Sequence, residues 1–332
     1  MREADELKKY NILVTGIGAI IGYGVISSLR KSKYDCYIVG MDIFDDAAGQ
    51  VWCDEFIQAI LAFDDGYIQF LKGIIDKYQI DLVLFGTEQE IQKCYQCKDE
   101  LGEYYKKLVI NTGEAIELSE DKWNTACFLK EHGINYIKGS INCDFEEAKE
   151  LFGLPLLLKP RRSYASKGII KATTQEEFDE WKKEQGDQFM VQELIGDENH
   201  EYTAATFAFG DGTCIKPIVM KRKLSKAGAT DKAVVEPVPE IDEEIYKIVK
   251  ALRPIGPTNF QFRLHKGEYL LLEINPRISS STSIRTAFGY NEAEMCIEYF
   301  LEKRRPEDKK LRTGRVYRYI TEAVIYDDSN NI

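Results

Sequence analysis

Residues 258–277 read TNFQFRLHKGEYLLLEINPR. Two runs of alternating residues flank a short polar turn at Gly267, which is the pattern of an antiparallel β-hairpin. If the chain folds back at Gly267, positions whose numbers add up to 534 (twice 267) lie opposite each other, so Gln261 faces Glu273. Asn275 is two residues beyond Glu273 and therefore shares its face. The hairpin thus predicts three oxygen-bearing side chains close together.

Oxygen ligands of this kind favour a Mg²⁺ site. Mg²⁺ usually keeps waters and substrate phosphates in the positions that protein ligands leave open. Pro276 ends the second strand, and Arg277 follows as a cation beside the predicted metal position. The alternative is a solvated polar face on an amphipathic hairpin. The string Glu-x-Asn-Pro-Arg at residues 273–277 favours the metal site over that alternative.

At these residues the sequence resembles the ATP-grasp superfamily, in particular its carbamoyl-phosphate-synthetase-like branch. The resemblance implies that Gln261, Glu273 and Asn275 hold one or two Mg²⁺ ions, with Mn²⁺ as a substitute, against the phosphates of ATP. It also implies that Arg277 contacts the reacting phosphoryl or acyl-phosphate group.

Composition and charge narrow the class of protein. The chain has 332 residues, a formal net charge of −11 and 30% charged residues, which argues against a basic nucleic-acid-binding surface. No apolar run reaches the roughly 18 residues of a membrane span, and the charged start MREADELKKY is unlike a signal peptide. The eight cysteines are scattered, and the pair Cys94/Cys97 lacks a second pair to complete a zinc site. We therefore expect a cytoplasmic protein that binds neither nucleic acid nor membrane, and the sequence leaves a homodimer open.

Residues 1–115 are predicted to form a Rossmann-like domain, because short apolar strands alternate with helices. Glycines follow the first strand, as in phosphate-binding loops. The resemblance implies that this domain binds no dinucleotide and instead helps to form the substrate side of the cleft. Asp42 and Glu88 follow strands and are predicted cleft residues, with ordinary loop carboxylates as the alternative.

A dehydrogenase is the alternative that the glycines suggest. Gly18, Gly22 and Gly24 match the G-x-x-x-G-x-G pattern of short-chain dehydrogenases, whereas Ile21 interrupts a G-x-G-x-x-G pattern. Short-chain dehydrogenases also need a Tyr-x-x-x-Lys pair after their central strands. The two such pairs in this chain, at residues 246/250 and 299/303, lie in late helices, which weakens this alternative.

Residues 116–190 are predicted to form the small ATP-grasp subdomain. Ser119 is predicted to cap a helix that runs through Glu131. Lys122 falls in its first turn, where the helix dipole disfavours a cation. The resemblance implies that Lys122 reaches the ATP phosphates, and a surface lysine is the alternative.

A basic loop follows the apolar strand that ends in Lys159. Cations and backbone N–H groups in such a loop can cradle a triphosphate. The resemblance implies a phosphate lid, with Lys159 in contact with phosphate and with Ser166, Lys167 and Gly168 in the lid. A plain solvated basic loop is the alternative.

Residues 191–332 are predicted to form the C-terminal ATP-grasp subdomain with the metal site. The resemblance places Glu193, Leu194 and Ile195 at the adenine, and Glu201 at the ribose hydroxyls. Arg222, in a basic run at the end of a strand, is predicted to hold a γ-phosphate or an anionic substrate. Beyond Arg277, residues 279–282 and 285 are polar and lie where the family binds its acceptor substrate.

The predicted fold class is therefore α/β, with a Rossmann-like pre-ATP-grasp domain followed by a two-subdomain ATP-grasp fold of the α+β type. The resemblance implies a ligase that uses ATP and Mg²⁺ to activate a small-molecule carboxylate as an acyl phosphate, which an amine or ammonia then attacks. Its partners would be the small-molecule carboxylate and amine. A small-molecule kinase on the same fold and a nucleotide-binding regulatory protein without turnover are the alternatives; the intact set Gln261, Glu273 and Asn275 argues against the second.

Overall fold

A computed structural model describes residues 9–141, 143–162, 168–186, 188–226, 228–320 and 322. Their Cα positions divide the chain into two compact units. The first unit takes the described residues of Met1–Ile110, Arg277–Arg312 and Val316–Ile332, and the second takes those of Asn111–Pro276 and Thr313–Arg315. The three domains predicted from the sequence, with boundaries at residues 115 and 190, stay a prediction.

The described chain contains both strands and helices. The strands are β1 (Lys9–Thr15), β2 (Asp35–Asp42), β3 (Glu55–Gln58), β4 (Leu82–Leu84), β5 (Gly139–Ser140), β6 (Leu156–Pro160), β7 (Ile170–Ala172), β8 (Phe189–Gln192), β9 (Glu201–Phe209), β10 (Ile218–Leu224), β11 (Thr230–Val235), β12 (Ile255–His265), β13 (Glu268–Asn275) and β14 (Gly314–Tyr317). The α-helices are α1 (Ile20–Arg30), α2 (Tyr67–Lys77), α3 (Glu88–Gln96), α4 (Lys98–Leu101), α5 (Gly113–Glu120), α6 (Lys122–Glu131), α7 (Phe145–Phe152), α8 (Gln175–Gln185), α9 (Pro239–Leu252), α10 (Thr282–Ala287) and α11 (Glu292–Cys296). Short 3-10 turns cover Ala48–Trp52, Gly102–Lys107 and Glu198–His200, and a π-helical turn covers Ile297–Leu301.

The first unit is built on a parallel sheet with the strand order β3-β2-β1-β4. Its central strand β1 is a continuous apolar run, and Ile12, Leu13 and Val14 have no exposed surface. Such a run is typical of a parallel strand that helices cover on both faces. The predicted Rossmann-like alternation is confirmed. Strand β3 was not predicted, because four residues are too short to show a period.

The second unit contains a six-stranded sheet with the order β13-β12-β9-β10-β11-β14. Its pairs from β13 to β11 are antiparallel. One face of this sheet packs against α9, whose Ile241, Ile245 and Ile248 are fully buried. The spacing of these residues in the sequence is typical of a helix with one face in the core. The opposite face carries polar side chains.

A smaller antiparallel sheet with the order β5-β8-β6-β7 completes the second unit. Helices α7 and α8 cover it with an aromatic core that includes Phe145, Phe178 and Trp181. Both helices begin with a capping box, from Asp144 and from Thr174. The parallel sheet followed by two antiparallel sheets confirms the predicted fold class.

The predicted start of the helix that runs through Glu131 was wrong. Ser119 caps no helix: α5 continues to Glu120, and Asp121 caps α6 by accepting hydrogen bonds from the N–H groups of Trp123 and Asn124. Residues 213–220 alternate like a strand, but β10 begins only at Ile218, because the preceding Pro217 has no N–H for the ladder.

Residues 315–326 also alternate like a strand; β14 covers Gly314–Tyr317, and part of the alternating range lies outside the described residues. In the described part of the chain, no helix combines the length and the apolar character that crossing a membrane requires.

Candidate nucleotide and metal site

The hairpin of β12 and β13 pairs Gln261 with Glu273 and Asn259 with Asn275, as the sequence predicted. A bulge between Gln261 and Phe262 shifts the pairing toward the turn by one residue, so the predicted register was wrong there. Bulges re-aim side chains and are frequent beside active sites. Here the bulge keeps Gln261, Glu273 and Asn275 on the polar face, opposite the face that packs on α9.

Arg222 and Glu201 form the centre of the polar face. Arg222 Nε and Nη2 donate to Glu201 Oε1 at 3.1 and 2.8 Å, and Nη2 also donates to Gln261 Oε1 at 2.8 Å. Arg222 and Glu201 are both buried. The structure therefore brings together Arg222, predicted to hold phosphate, Glu201, predicted to bind ribose, and Gln261, predicted to bind metal. Their roles toward ATP stay predictions.

Arg263 is a member of this cluster that the sequence analysis missed. Its Nη2 donates to Glu201 Oε2 at 2.7 Å, and its Nη1 donates to the Ile195 carbonyl oxygen at 3.5 Å. Asn259, Gln261 and Arg263 alternate along β12, so they share one face. Polar residues at every second position were the signal that could have identified Arg263.

Lys159, at the end of β6, is 6% exposed and lies beside a small cavity. Lys122, Gln192 and Glu273 line the same cavity. Burial lowers the pKa of Lys159 to about 7; Lys122 and Arg263 also lower it, and Glu273 opposes them. Three residues predicted separately, Lys122, Lys159 and Glu273, thus line one cavity.

Asp121 connects the start of α6 to the chain after β6. Its Oδ2 accepts from Arg161 Nη2 at 2.6 Å, and Arg162 Nε lies 3.8 Å away. The N–H of Lys122 donates to the Arg161 carbonyl oxygen at 3.0 Å. These contacts hold Lys122 near β6. Arg161 is thus committed to an ion pair with Asp121.

Two of the lid residues, Ser166 and Lys167, lie outside the described residues. Gly168 is described, with a φ of +76°, and a Cβ at this position would lie 2.9 Å from Pro160 Cγ. The Gly168 carbonyl oxygen accepts from Trp181 Nε1 at 3.1 Å. This hydrogen bond fastens Gly168, which belongs to the predicted lid, to helix α8.

The predicted adenine segment, Glu193, Leu194 and Ile195, follows β8. Glu193 donates its N–H to the Lys138 carbonyl oxygen at 3.0 Å, and its side chain lies 3.6 Å from His265 Nε2. Leu194 is half-buried. Ile195 packs in a buried apolar cluster with Ile137 and Leu270. Apolar surface for a ring is present, but the contact with adenine stays a prediction.

Arg277 belongs to the first unit, where it pairs with Glu88. Arg277 Nε donates to Glu88 Oε1 at 2.9 Å, and Nη2 donates to the same oxygen. The contact between Arg277 and a transferring phosphoryl group stays a prediction. Arg285, expected to face the acceptor substrate, is fully buried and pairs with Glu292 at 3.2 Å. That expectation was wrong, because the guanidinium is part of the core of the first unit.

The donor set fits Mg²⁺ better than a softer metal. Glu273 supplies a carboxylate, and Gln261 and Asn275 supply amide oxygens on the same face. The described residues contain no group of three or more His, Cys, Asp or Glu side chains that could hold a metal without a substrate. Phosphate oxygens and water would therefore complete the coordination of Mg²⁺ at this site.

Comparisons with known proteins support the resemblance seen in the sequence. Residues 185–323 match the family described as "ATP-grasp in the biosynthetic pathway with Ter operon". The chain is 26% identical to the carbamoyl phosphate synthase large chain of Caldanaerobacter subterraneus subsp. tengcongensis over 71% of this chain, but over 24% of that protein. It is 29% identical to the N-terminal section of the Methanopyrus kandleri large chain, over 69% of this chain and 44% of that protein. The matched region thus covers about a quarter of the length of the first relative and less than half of the length of the second.

Solved structures show the same fold. N5-carboxyaminoimidazole synthetase from Staphylococcus aureus, complexed with ADP, superposes with a TM-score of 0.72 at 18% identity, over 92% of this chain and 81% of that one. The biotin carboxylase domain dimer of Hydrogenobacter thermophilus 2-oxoglutarate carboxylase, with MgADP and bicarbonate, gives a TM-score of 0.68 at 18% identity, over 92% and 73% of the two chains.

Proposed function

Because this chain belongs to the ATP-grasp superfamily and is distantly related to the carbamoyl phosphate synthase large chain, we propose that it is an ADP-forming carboxylate–amine ligase. It would use ATP and Mg²⁺ to activate a small-molecule carboxylate as an acyl phosphate. An amine or ammonia would then attack the acyl phosphate.

The observation that carries this proposal is the grouping of Lys122, Lys159 and Glu273 around one cavity, with Gln261 paired opposite Glu273. A triphosphate needs cations beside its oxygens and hard oxygen ligands for its metal. Mg²⁺, when bound, neutralises charge on the phosphates. Gln261, Glu273 and Asn275 would hold it, and the two lysines would contact the phosphate oxygens.

Lys159 suits contact with a phosphate because of its burial. Because the pKa of Lys159 is about 7, the neutral form of its amine is well populated at a pH slightly above 7. A phosphate placed beside it would favour the charged form and raise this pKa. A buried cation interacts with a phosphate more strongly than an exposed one, since water screens it less.

The reaction balances without a side-chain nucleophile. A carboxylate oxygen forms a bond to the γ-phosphorus while the bond between that phosphorus and the ADP oxygen breaks. The amine nitrogen then bonds to the acyl carbon, phosphate leaves with the electron pair of the C–O bond, and the nitrogen releases one proton. The chain's contribution would be positioning and charge neutralisation.

Hydroxylamine trapping tests the proposal. Carboxylic acids, including amino acids, are incubated with the protein, MgATP and hydroxylamine, and hydroxamate, ADP and phosphate are quantified together. We expect a hydroxamate in equal amount to ADP with one class of acid, and none with the Lys159→Met variant. The alternative is a kinase on the same fold, and it would be indicated by a stable phosphorylated product that forms without hydroxamate or any need for an amine.

The quaternary structure is a further part of the proposal. We propose a homodimer, because the biotin carboxylase domain with a similar fold is described as a dimer. Sedimentation velocity at micromolar concentration tests this part independently of the chemistry.

A further inference from the structure

A cavity of about 560 Å³ lies within the first unit, at the carboxyl ends of its parallel strands. Residues at or after the end of each of the four strands contribute to its lining, for example Gly18, Phe44, Leu61 and Thr87. Open α/β sheets bind ligands at this edge, and the volume falls in the range of roughly 300–1,000 Å³ for small-molecule sites. The ATP and metal residues proposed above do not line this cavity.

The wall of this cavity is apolar and open to water. Ile43, Phe44, Leu61 and Phe63 all line it, and 39%, 63%, 58% and 74% of their surfaces are exposed. Apolar side chains that line one open cavity are typical of small-molecule binding sites. The wall therefore fits a ligand with an apolar or aromatic body.

All the charged residues that line the cavity are acidic. Asp42, Asp46 and Glu90 line the cavity, and none of the described lining residues is Lys, Arg or His. Asp42 is buried, and its two oxygens accept from the N–H groups of Gly18 at 2.7 Å and Phe44 at 3.1 Å. Each of these oxygens has a further lone pair for a ligand cation.

Glu90 is less available to a ligand cation than Asp42 is. It accepts hydrogen bonds from the hydroxyl groups of Thr15, Thr87 and Tyr67, and burial raises its pKa. Its position in this hydroxyl network leaves Asp42 as the buried receiving group of the cavity lining. Asp46, which is exposed, adds a second negative charge to the lining.

Anions are disfavoured at the place where a Rossmann-like domain usually accepts them. The glycine loop before the first helix commonly offers its N–H groups to a phosphate. Here the N–H of Gly18 donates to the chain's own Asp42 carboxylate. A phosphate or carboxylate would meet this negative charge without a cation in the described lining.

We propose that this cavity binds an apolar primary amine that carries neither a carboxylate nor a phosphate group. Its ammonium group pairs with Asp42, and its apolar body packs on Phe44 and Phe63. We further infer that this compound is the amine substrate of the ligase, a step that rests on the proposed function.

Calorimetric titration without ATP tests the site by itself. 2-Phenylethylamine, benzylamine and hexylamine are titrated into the full chain at pH 7. Three matched compounds test the chemistry: phenylalanine adds a carboxylate, 3-phenylpropionate replaces the ammonium group, and ethanolamine lacks the apolar body. We expect 2-phenylethylamine to bind, and each matched compound to bind at least about tenfold more weakly than it does.

Substitutions at exposed positions locate the binding without disturbing the fold. Ala48→Phe fills the cavity and should abolish binding, whereas Phe63→Ala removes part of the wall and should weaken it about tenfold. Asp46→Asn should weaken binding less than Ala48→Phe. Leu151→Ala, at an exposed apolar residue in the other unit, is the matched control and should leave the affinity unchanged.

Three results would overturn the inference: no binding by any apolar amine at millimolar concentration, equal binding of 3-phenylpropionate, or binding that Ala48→Phe leaves intact. Dimerisation that Phe63→Ala abolishes, without amine binding, would show that a second copy of the chain covers the wall. Failure of hydroxamate formation with intact amine binding would reject the ligase and keep the site. Hydroxamate formation without amine binding would keep the ligase and reject the amine site.

Discussion

Arg222 on β10 donates two hydrogen bonds to Glu201 Oε1 on β9, from Nε at 3.1 Å and from Nη2 at 2.8 Å. The two residues are direct partners in the register of the sheet, and both are buried. Arg222 also donates to Gln261, which connects the pair to the predicted metal ligands. A buried ion pair therefore organises the polar face on which the proposed nucleotide site depends.

Replacing Arg222 by methionine should destabilise the second unit, because Glu201 would lose one of its two cations while it stays buried. Breaking a buried pair costs about 3–5 kcal/mol. Urea unfolding followed by circular dichroism measures the change. Lys223→Met is the matched control on the same strand, since Lys223 is exposed, and should change stability by less than about 0.5 kcal/mol. Equal unfolding midpoints for the two variants would contradict this prediction.

Glu273→Gln should nearly abolish ATP turnover and leave the fold intact. The substitution keeps the shape of the side chain but removes the one negative charge among the three proposed metal ligands. Metal-ion stabilisation is worth several kcal/mol, so we expect a loss of about 100-fold or more. ADP release over a range of Mg²⁺ concentrations is the measurement. Glu268→Gln, at an exposed position on the same strand, is the control, and near-normal turnover by Glu273→Gln would remove Glu273 from the site.

Lys159 should make stability depend on pH above neutrality. Its folded pKa of about 7 lies below the unfolded value of about 10.4, so the unfolded chain binds more protons between these values. The contribution of Lys159 to the free energy of unfolding therefore rises as pH increases from about 7 to 10. Comparing urea midpoints at pH 7 and pH 9 should show a larger gain for the unsubstituted protein than for Lys159→Met. Lys171→Met, at an exposed site in the same sheet, should behave like the unsubstituted protein.

Nucleotide choice separates the ATP-grasp site from a dinucleotide site. MgATP should raise the unfolding temperature, since a ligand at 100 times its dissociation constant stabilises the native state by about 2.7 kcal/mol. NAD(H) and NADP(H) should have no effect, because the Asp42 carboxylate already accepts the Gly18 N–H that a pyrophosphate would need. Thermal shift assays with each nucleotide measure these changes in unfolding temperature. A shift with a dinucleotide alone would favour the dehydrogenase alternative.

Local patterns in the amino-acid sequence were enough to predict much of the architecture. The alternation in residues 258–277 predicted the hairpin and the pairing of Gln261 with Glu273, because a strand places every second side chain on one face. The spacing of the isoleucines is typical of a helix such as α9, and Asp144 and Thr174 are of the residue types that commonly cap helices, as they do at the starts of α7 and α8. The order of basic, acidic and amide residues along the chain indicated the superfamily. Apart from that order, each of these signals lies within a few residues of sequence, where local geometry decides the outcome.

The partners of the charged residues depended on the tertiary structure. Glu201 meets Arg222 and Arg263 from positions 21 and 62 residues away, and Arg277 meets Glu88 from a distance of 189 residues. No local period encodes such pairings, because they follow from strand order and packing. Burial is likewise a property of the folded chain, and it lowers the pKa of Lys159 and places Arg285 in the core. The acidic cavity of the first unit arises in the same way, from four loops that only the parallel sheet brings to one edge.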